Sequence, residues 1–287
     1  MPFLEAKALT HVYSKGTPFE KVAIDHIDLA VERGETVGLI GHTGSGKSTL
    51  IQHFNALLKP SEGSVTLDGQ DIFASKTAMR DARRRVGLVF QYPEHQLFEE
   101  TVWADIAFGP KNQKLSGAEL DGRVREAAAF VGIAEELFGV SPLELSGGQK
   151  RRIALAGVLA MKPELLILDE PAAGLDPAGR ESIFRNILDW KAATGATVIL
   201  VTHDMTAAAS LCSRLVVLNG GKIAFDGTPS SVFAHADALR GMGLDLPASA
   251  DIASRLRGLG VPLPSDIYTL DRLTAEILAL RGGDAVC

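Results

Sequence analysis

The sequence is poor in long apolar runs: no uncharged stretch approaches the ~18–20 residues that a membrane-crossing helix needs, and the opening MPFLEAKALT has no basic segment followed by an apolar core. The expectation is a cytosolic chain, or one that sits at a membrane only through a partner. Cysteine is also scarce. Cys212 lies in an apolar stretch and Cys287 at the end, and the pair offers neither a disulfide framework nor metal-ligand spacing. Inert thiols in a reducing compartment are expected. Positive charge is not in excess, with 29 Lys and Arg against 35 Asp and Glu and a formal net charge of −6. No overall field draws in nucleic acid, and no nucleic-acid partner is expected. Internal repeats and low-complexity segments are lacking as well.

What is present is an ordinary globular mixture, 46% apolar and 22% charged. A length of 287 residues suffices for one large domain with an appendage, or for two modest domains. The first third reads as short strands: FLEAKALTHVY, then AIDHIDLAVE with alternating Ile27, Leu29 and Val31, then TVGLIG. In SVTLDGQDI, Asp68-Gly69 signals a hairpin. Between them, KSTLIQHFNALLK carries Leu50, Ile51, Phe54, Leu57 and Leu58 at helical spacing, which predicts a helix ended by Pro60.

From about Thr101 to Ala160 the pattern turns helical: TVWADIAFG, then AELDGRVREAAAFVG capped by Ser116 and stopped by Gly132, then GGQKRRIALAGVLAM. Buried strands then return as ELLILD and ATVILVT around a charged helix, AGRESIFRNILDWKAAT, the mark of a parallel α/β sheet. RLVVLNGGKIAFDG reads as a strand pair turning at Asn219-Gly220. Beyond Gly227 come short helices broken by Pro and Gly, ending in TLDRLTAEILALRGG with Leu270, Leu273, Ile277 and Leu280 on one face. That stripe is expected to pack against its own domain.

Gly41-His42-Thr43-Gly44-Ser45-Gly46-Lys47-Ser48 fits G-x-x-x-x-G-K-[ST] and sits between a buried strand and a helix, as the motif requires. Glycines let consecutive N–H groups turn toward a β-phosphate, the helix start adds its dipole, and Lys47 can bridge β- and γ-oxygens. Ser48, followed by Thr49, can present a hydroxyl to Mg²⁺. By itself this loop specifies a P-loop nucleotide protein, a class that includes kinases, GTPases and motors. The strand Leu165–Leu168 ends in Asp169 and Glu170, at the edge where a parallel sheet collects ligands. Asp169 is placed to hold the Mg²⁺ shell and Glu170 to polarise the attacking water. Upstream, Leu145-Ser146-Gly147-Gly148-Gln149 opens a helix whose N–H groups could meet a phosphate.

At these residues the chain, from about Leu4 to Asp226, resembles the ABC (ATP-binding cassette) ATPases, whose signature is LSGGQ. The resemblance implies an α/β P-loop NTPase fold with a parallel-sheet core, an antiparallel β-subdomain and an inserted helical subdomain. It makes residues 1–228 the cassette, with the helical subdomain at about 92–160, and 229–287 a helical extension that helps hold two ATPases together. It makes Tyr13 the aromatic on adenine, Gln91 the glutamine joining Mg²⁺ and water to a membrane partner, and Ala173-Gly174-Leu175-Asp176 the D-loop, where threonine is common at the Ala173 position. His203 becomes the histidine that touches the γ-phosphate. It further implies a head-to-tail dimer, in which Ser146, Gly147, Gly148 and Gln149 of one subunit complete the ATP site of the other. Tyr92-Pro93-Glu94-His95-Gln96-Leu97-Phe98 and the segment Thr101–Pro110 are similar to the ATPases of energy-coupling-factor importers for vitamins and transition metals, the second of two paralogues in particular. That likeness implies a second ATPase, a transmembrane scaffold, a small membrane substrate-binding subunit, and a peripheral location on the cytoplasmic side of the cell membrane. Glu94, Gln96 and Glu99 are then expected to line a groove for the scaffold's helices. Soluble ABC ATPases that act on DNA or ribosomes usually carry a long coiled-coil insertion or two cassettes in one chain; the single cassette, the short separation of Lys47 from Asp169 and the acidic balance make that the less favoured alternative.

Overall fold

The computed structural model describes residues 1–283, with side chains as far as Leu280; Cys287 lies outside the described residues. The chain opens with β1 (Leu4–Tyr13), β2 (Lys21–Val31) and β3 (Thr36–Ile40), followed by α1 (Lys47–Phe54), β4 (Glu62–Leu67), β5 (Gln70–Asp71), α2 (Lys76–Arg85) and β6 (Val86–Val89). A helical insert follows: α3 (Val102–Asn112), α4 (Gly117–Phe130) and α5 (Gly147–Leu159). Then come β7 (Leu165–Asp169), α6 (Pro177–Thr194), β8 (Thr197–Val201), α7 (Met205–Leu211), β9 (Arg214–Asn219) and β10 (Lys222–Gly227). The chain closes with α8 (Pro229–Phe233), α9 (Ala236–Gly241), α10 (Ala248–Gly258) and α11 (Leu270–Gly283).

Two sheets result. One is antiparallel, in the order β2-β1-β4-β5, and the other runs β10-β9-β3-β8-β7-β6, parallel except for the β9–β10 hairpin. β3, β7 and β8 are buried at every position because both faces of the large sheet are covered. Successive side chains point to opposite faces. Leu166, Leu168, Val198 and Leu200 therefore join a core shared with the helical insert. Leu165, Ile167, Ile199 and Val201 instead join the core formed with the antiparallel sheet and α1. The parallel strands bring the segments after β3, β6, β7 and β8 to one edge, the place where such sheets bind ligands.

Three local expectations need correction. α1 stops at Phe54, well short of Pro60. Ala56 turns left-handed at φ 56°, and the N–H groups of Leu57 and Leu58 both fold back on Gln52 O, which terminates the helix locally. The β9–β10 turn is centred one residue later than expected: Asn219 pairs with Lys222, and the left-handed pair is Gly220-Gly221. The shift has a structural use, since Gly221 N donates to Ser45 O and Gly221 O accepts from Asp25 N, tying the turn to both the phosphate loop and β2. Ser116 does occupy the N-cap of α4, yet its hydroxyl makes no capping hydrogen bond there. The Asp68-Gly69 hairpin forms as expected, both residues having positive φ.

Of the carboxyl-terminal stripe, Leu273, Ile277 and Leu280 pack with Ala253, Leu263 and Ile267 in a small separate core, whereas Leu270 is 64% exposed. Val232, Phe233, Leu239 and Leu244, from α8, α9 and the turn after them, belong instead to the main core. No described helix is long and apolar enough to cross a membrane.

Candidate nucleotide site

The loop between β3 and α1 surrounds one side of an open cleft of about 400 Å³. Its curvature depends on glycine: Gly46 has φ 107°, and a Cβ there would lie 2.6 Å from Ala23 O, a backbone atom that cannot yield. Lys47 Nζ folds over its own loop, donating to Gly41 O at 2.6 Å and His42 O at 3.0 Å. Burial lowers its pKa, and the nearby Glu170 and Asp169 carboxylates oppose that shift. Ser48 Oγ donates to Asp169 Oδ2 at 3.2 Å. Asp169 is itself buried, which raises its pKa against the pull of the Ser48 hydroxyl.

Glu170 continues the β7–β8 pairing through its N–H to Val201 O at 2.9 Å and adopts φ 50°. A left-handed glutamate is uncommon and costs energy that the surrounding structure has to hold. It aims the carboxylate back across the sheet edge, where Oε1 lies 2.8 Å from His203 Nδ1 at the end of β8. The opposite wall is Tyr13, whose hydroxyl is 3.2 Å from Thr49 Oγ1 and whose ring takes the edge of His11 at a centroid distance of 4.5 Å. His11 rests in turn on buried His53, 3.2 Å away.

Of the residues expected from the sequence, Tyr13, Thr43, Gly44, Gly46, Lys47, Ser48, Thr49, Gln91, Asp169, Glu170 and His203 line this one cleft. Gly41, His42 and Ser45 belong to the same loop but do not line the cleft; Gly41 and Ser45 are buried beneath it. Lys21 and Ala23 were not anticipated, and both line the cleft as well. The signal for Lys21 lies in strand register, since it pairs directly with Tyr13 across the β1–β2 ladder. Ser146, Gly147, Gly148, Gln149 and Asp176 are not brought to the cleft. Ser146 and Gln149 form a capping box at the start of α5, which leaves Gly147 and Gly148 exposed. Asp176 caps α6, accepting from Gly179 N at 2.7 Å.

The groove residues divide. Gln96 is exposed, and Glu99 N donates to Asp105 Oδ2 at 3.3 Å. Glu94 is not a free groove acid: its carboxylate takes two hydrogen bonds from the buried Arg151, at 2.7 and 3.0 Å. Burial acts to raise the Glu94 pKa, but the Arg151 contacts help bring it below the ordinary value. Beside this segment Phe98 and Phe108 meet edge to face on the surface, 4.8 Å between centroids.

The family model described as ABC transporter matches residues 24–173. Among curated proteins, the energy-coupling factor transporter ATP-binding protein EcfA2 of Clostridium tetani is 49% identical over 278 residues, covering 96% of each chain. The protein of the same name from Symbiobacterium thermophilum is also 49% identical, over 277 residues and 96% of each chain. Among solved structures, cbiO1 from Clostridium perfringens, described as part of the ABC transporter complex cbiONQ, superposes with a TM-score of 0.74 at 37% identity, covering 90% of this chain and 97% of that one. The ATP-binding cassette MJ0796, in a dimeric post-hydrolysis state with ADP and Pi, superposes with a TM-score of 0.71 at 28% identity, covering 79% and 98%. The cleft described above, with its phosphate loop and paired carboxylates, therefore sits in a chain that belongs to the ABC transporter ATPases, among the ATP-binding subunits of energy-coupling factor transporters.

Proposed function

We propose that this chain is the motor subunit of an energy-coupling-factor importer, binding and hydrolysing ATP to drive uptake of a vitamin or a transition metal through a membrane scaffold. The observation that carries the reading is the convergence of Lys47, Ser48, Asp169, Glu170 and His203 on one cleft from three different strand ends, with Tyr13 opposite. Tyr13 stacks on the adenine, and the N–H groups of the loop cradle the β-phosphate. Lys47 exchanges its contacts with the carbonyls of Gly41 and His42 for the phosphate oxygens. Ser48, Gln91 and Asp169 offer only oxygen donors, the set a hard divalent cation prefers, and two of them already approach within 3.2 Å; these three would hold Mg²⁺. Bound there, Mg²⁺ supplies charge neutralisation on the transferred phosphoryl group. Glu170 is the general base that orients the attacking water, and His203, exposed and within reach, holds the terminal phosphate.

The chain works as half of a head-to-tail pair. Gly147 and Gly148, with N–H groups that the Ser146–Gln149 capping box leaves free, complete the partner's site together with Asp176. The partner is a second, paralogous ATPase. A transmembrane scaffold docks near Gln96 and Glu99, and a small membrane protein selects the substrate. The chain is thus peripheral, on the cytoplasmic side of the cell membrane. Residues 1–228 act as the cassette, its core completed by Val232, Phe233, Leu239 and Leu244 of the extension, and the remainder of the extension 229–287 helps keep the two ATPases together as they open and close.

Affinity capture of the tagged chain from membranes tests this. Recovery of a different ATPase, a scaffold and a small substrate-binding membrane protein is expected. Recovery with a soluble binding-protein importer, or with ribosomes or DNA, overturns the assignment.

A further inference from the structure

Arg151, in the second turn of α5, is only 4% exposed. A cation in that position must be paired on several sides, or its desolvation goes uncompensated. It is paired on three. Nε and Nη2 clasp the two carboxylate oxygens of Glu94 at 3.0 and 2.7 Å. Nη1 donates to Ala173 O at 2.6 Å. The guanidinium carbon lies 5.8 Å from the centroid of the Tyr92 ring. One side chain therefore joins segments far apart in sequence: the 3-10 turn Pro93–Gln96 that follows Gln91, the helix that begins at Ser146, and the loop that follows β7.

The last of these connections reaches the reacting carboxylate. Ala173 N donates to Glu170 O at 3.1 Å, closing the turn Glu170–Ala173 whose last carbonyl Arg151 holds. Glu170 stands at the left-handed φ of 50°, a conformation that persists only where neighbouring contacts over-determine it. Tyr92, immediately after Gln91, is also left-handed at φ 55°. The two unusual backbone positions thus lie at opposite ends of one path, Tyr92–Glu94–Arg151–Ala173–Glu170.

We propose that Arg151 is a positioning residue that transmits displacement of the 92–99 segment to the backbone of Glu170 while holding the start of α5 in register with both. Stability alone is a weak reason for such a pair, because a buried ion pair contributes little net stability compared with apolar side chains of similar volume. Direction is what the planar guanidinium adds: it meets a carboxylate edge-on with two donors and still has a third for a carbonyl, a geometry that lysine cannot reproduce. The inference rests on the proposed function, in which the 92–99 segment receives the scaffold's helices and Glu170 is the base.

The test uses the full transporter in proteoliposomes with the wild type, Arg151→Lys, Glu94→Gln, the double variant and Glu170→Gln. Measured are affinity for a non-hydrolysable ATP analogue, ATPase kcat, and substrate transported per ATP. Arg151→Lys is expected to leave nucleotide affinity within about twofold and to lower kcat about tenfold or more, the scale of a small misplacement of a catalytic group. It should also lower the transport-to-hydrolysis ratio. Glu94→Gln should do the same, and the double variant should be no worse than the poorer single one, because the two residues act in one link. Unchanged kcat and coupling ratio in Arg151→Lys, or effects that multiply in the double variant, overturn the proposal. If Arg151→Lys fails to assemble, Glu94→Gln carries the same decision. Should Glu170→Gln leave hydrolysis intact, the assignment of the base is what fails; if it abolishes hydrolysis while the Arg151 and Glu94 variants behave as wild type, the transmission path alone is refuted.

Discussion

His53 is a buried base whose protonation should cost the fold a measurable amount. Burial carries its pKa down from 6.5 to about 4, and the neighbouring His11 adds to the shift although the Thr49 carbonyl opposes it. The hydrogen bonds explain why the neutral ring fits. Nδ1 lies 2.7 Å from Thr49 O, which can only accept, so Nδ1 carries the proton and Nε2 is an acceptor. Nε2 then faces His11 Nδ1 at 3.2 Å, and that atom also faces Lys59 O at 3.2 Å. A proton on His53 Nε2 would meet the His11 N–H head on. Because the folded pKa lies below the unfolded one, the unfolded chain binds more protons between pH 6.5 and 4, and stability falls as pH falls through that window. Integrated from pH 7 to pH 4.5, the loss is about 2 kcal/mol. With a urea m-value of about 3 kcal/mol/M, the midpoint should drop by about 0.7 M more in the wild type than in His53→Gln, which keeps a polar side chain without a proton to gain. The comparison matters because Glu94, Asp68 and Glu164, whose pKa values are lowered, also cost stability in acid, in both proteins alike. Parallel midpoint-against-pH curves for the two proteins would refute the reasoning. Since His11 supports the Tyr13 ring edge to face, nucleotide affinity should weaken more steeply over the same acid range in the wild type than in His53→Gln; the raised pKa of Asp169 weakens binding in both proteins alike.

Glu170→Gln should lower the ATPase rate of the assembled transporter by about 10²–10⁴-fold, the usual worth of a general base, with nucleotide affinity retained; a rate within about threefold of wild type, on the same scale, would remove Glu170 from that role. Tyr13→Ala should weaken ATP binding by about 1–3 kcal/mol, the range for a stacked base, whereas Tyr13→Phe loses only the contact with Thr49 and should bind nearly as well in equilibrium titration. Truncation after Leu246 should leave a cooperatively folded cassette with weakened assembly, read by size-exclusion chromatography of the co-expressed ATPases. Truncation after Gly227 should unfold it, because Val232, Phe233, Leu239 and Leu244 leave the main core at about 1.5–3 kcal/mol each, a sum comparable to the stability of a whole domain.

Much of the candidate site is legible in the sequence. The phosphate loop and the Leu165–Glu170 strand are contiguous motifs, and their chemistry follows from residue type and spacing over a few positions. Helix and hairpin ends were less legible, because they depend on single backbone conformations. Ala56 turns left-handed where an alanine in sequence gives no warning. The β9–β10 turn settles on Gly220-Gly221 because that register lets Gly221 bond to both Ser45 and Asp25. Glu94 shows the limit most plainly: among exposed neighbours it reads as one more surface acid, and only the approach of α5 supplies Arg151 as its partner.

Sequence by itself determined which groups the chain offers: a glycine loop ending in Lys47-Ser48 and a buried strand ending in Asp169-Glu170, residue types suited to cradling phosphate and polarising water where a parallel sheet brings them to one edge. Tertiary structure alone decided how these parts are held and linked: Lys21 opposite Tyr13 through strand pairing, His53 kept neutral beneath His11, and Arg151 joining Glu94 to Ala173. The reason is physical. Periodicity and local motifs encode interactions over a turn of helix or a few strand residues, whereas a buried charge finds its partner only when distant segments have packed and excluded water between them.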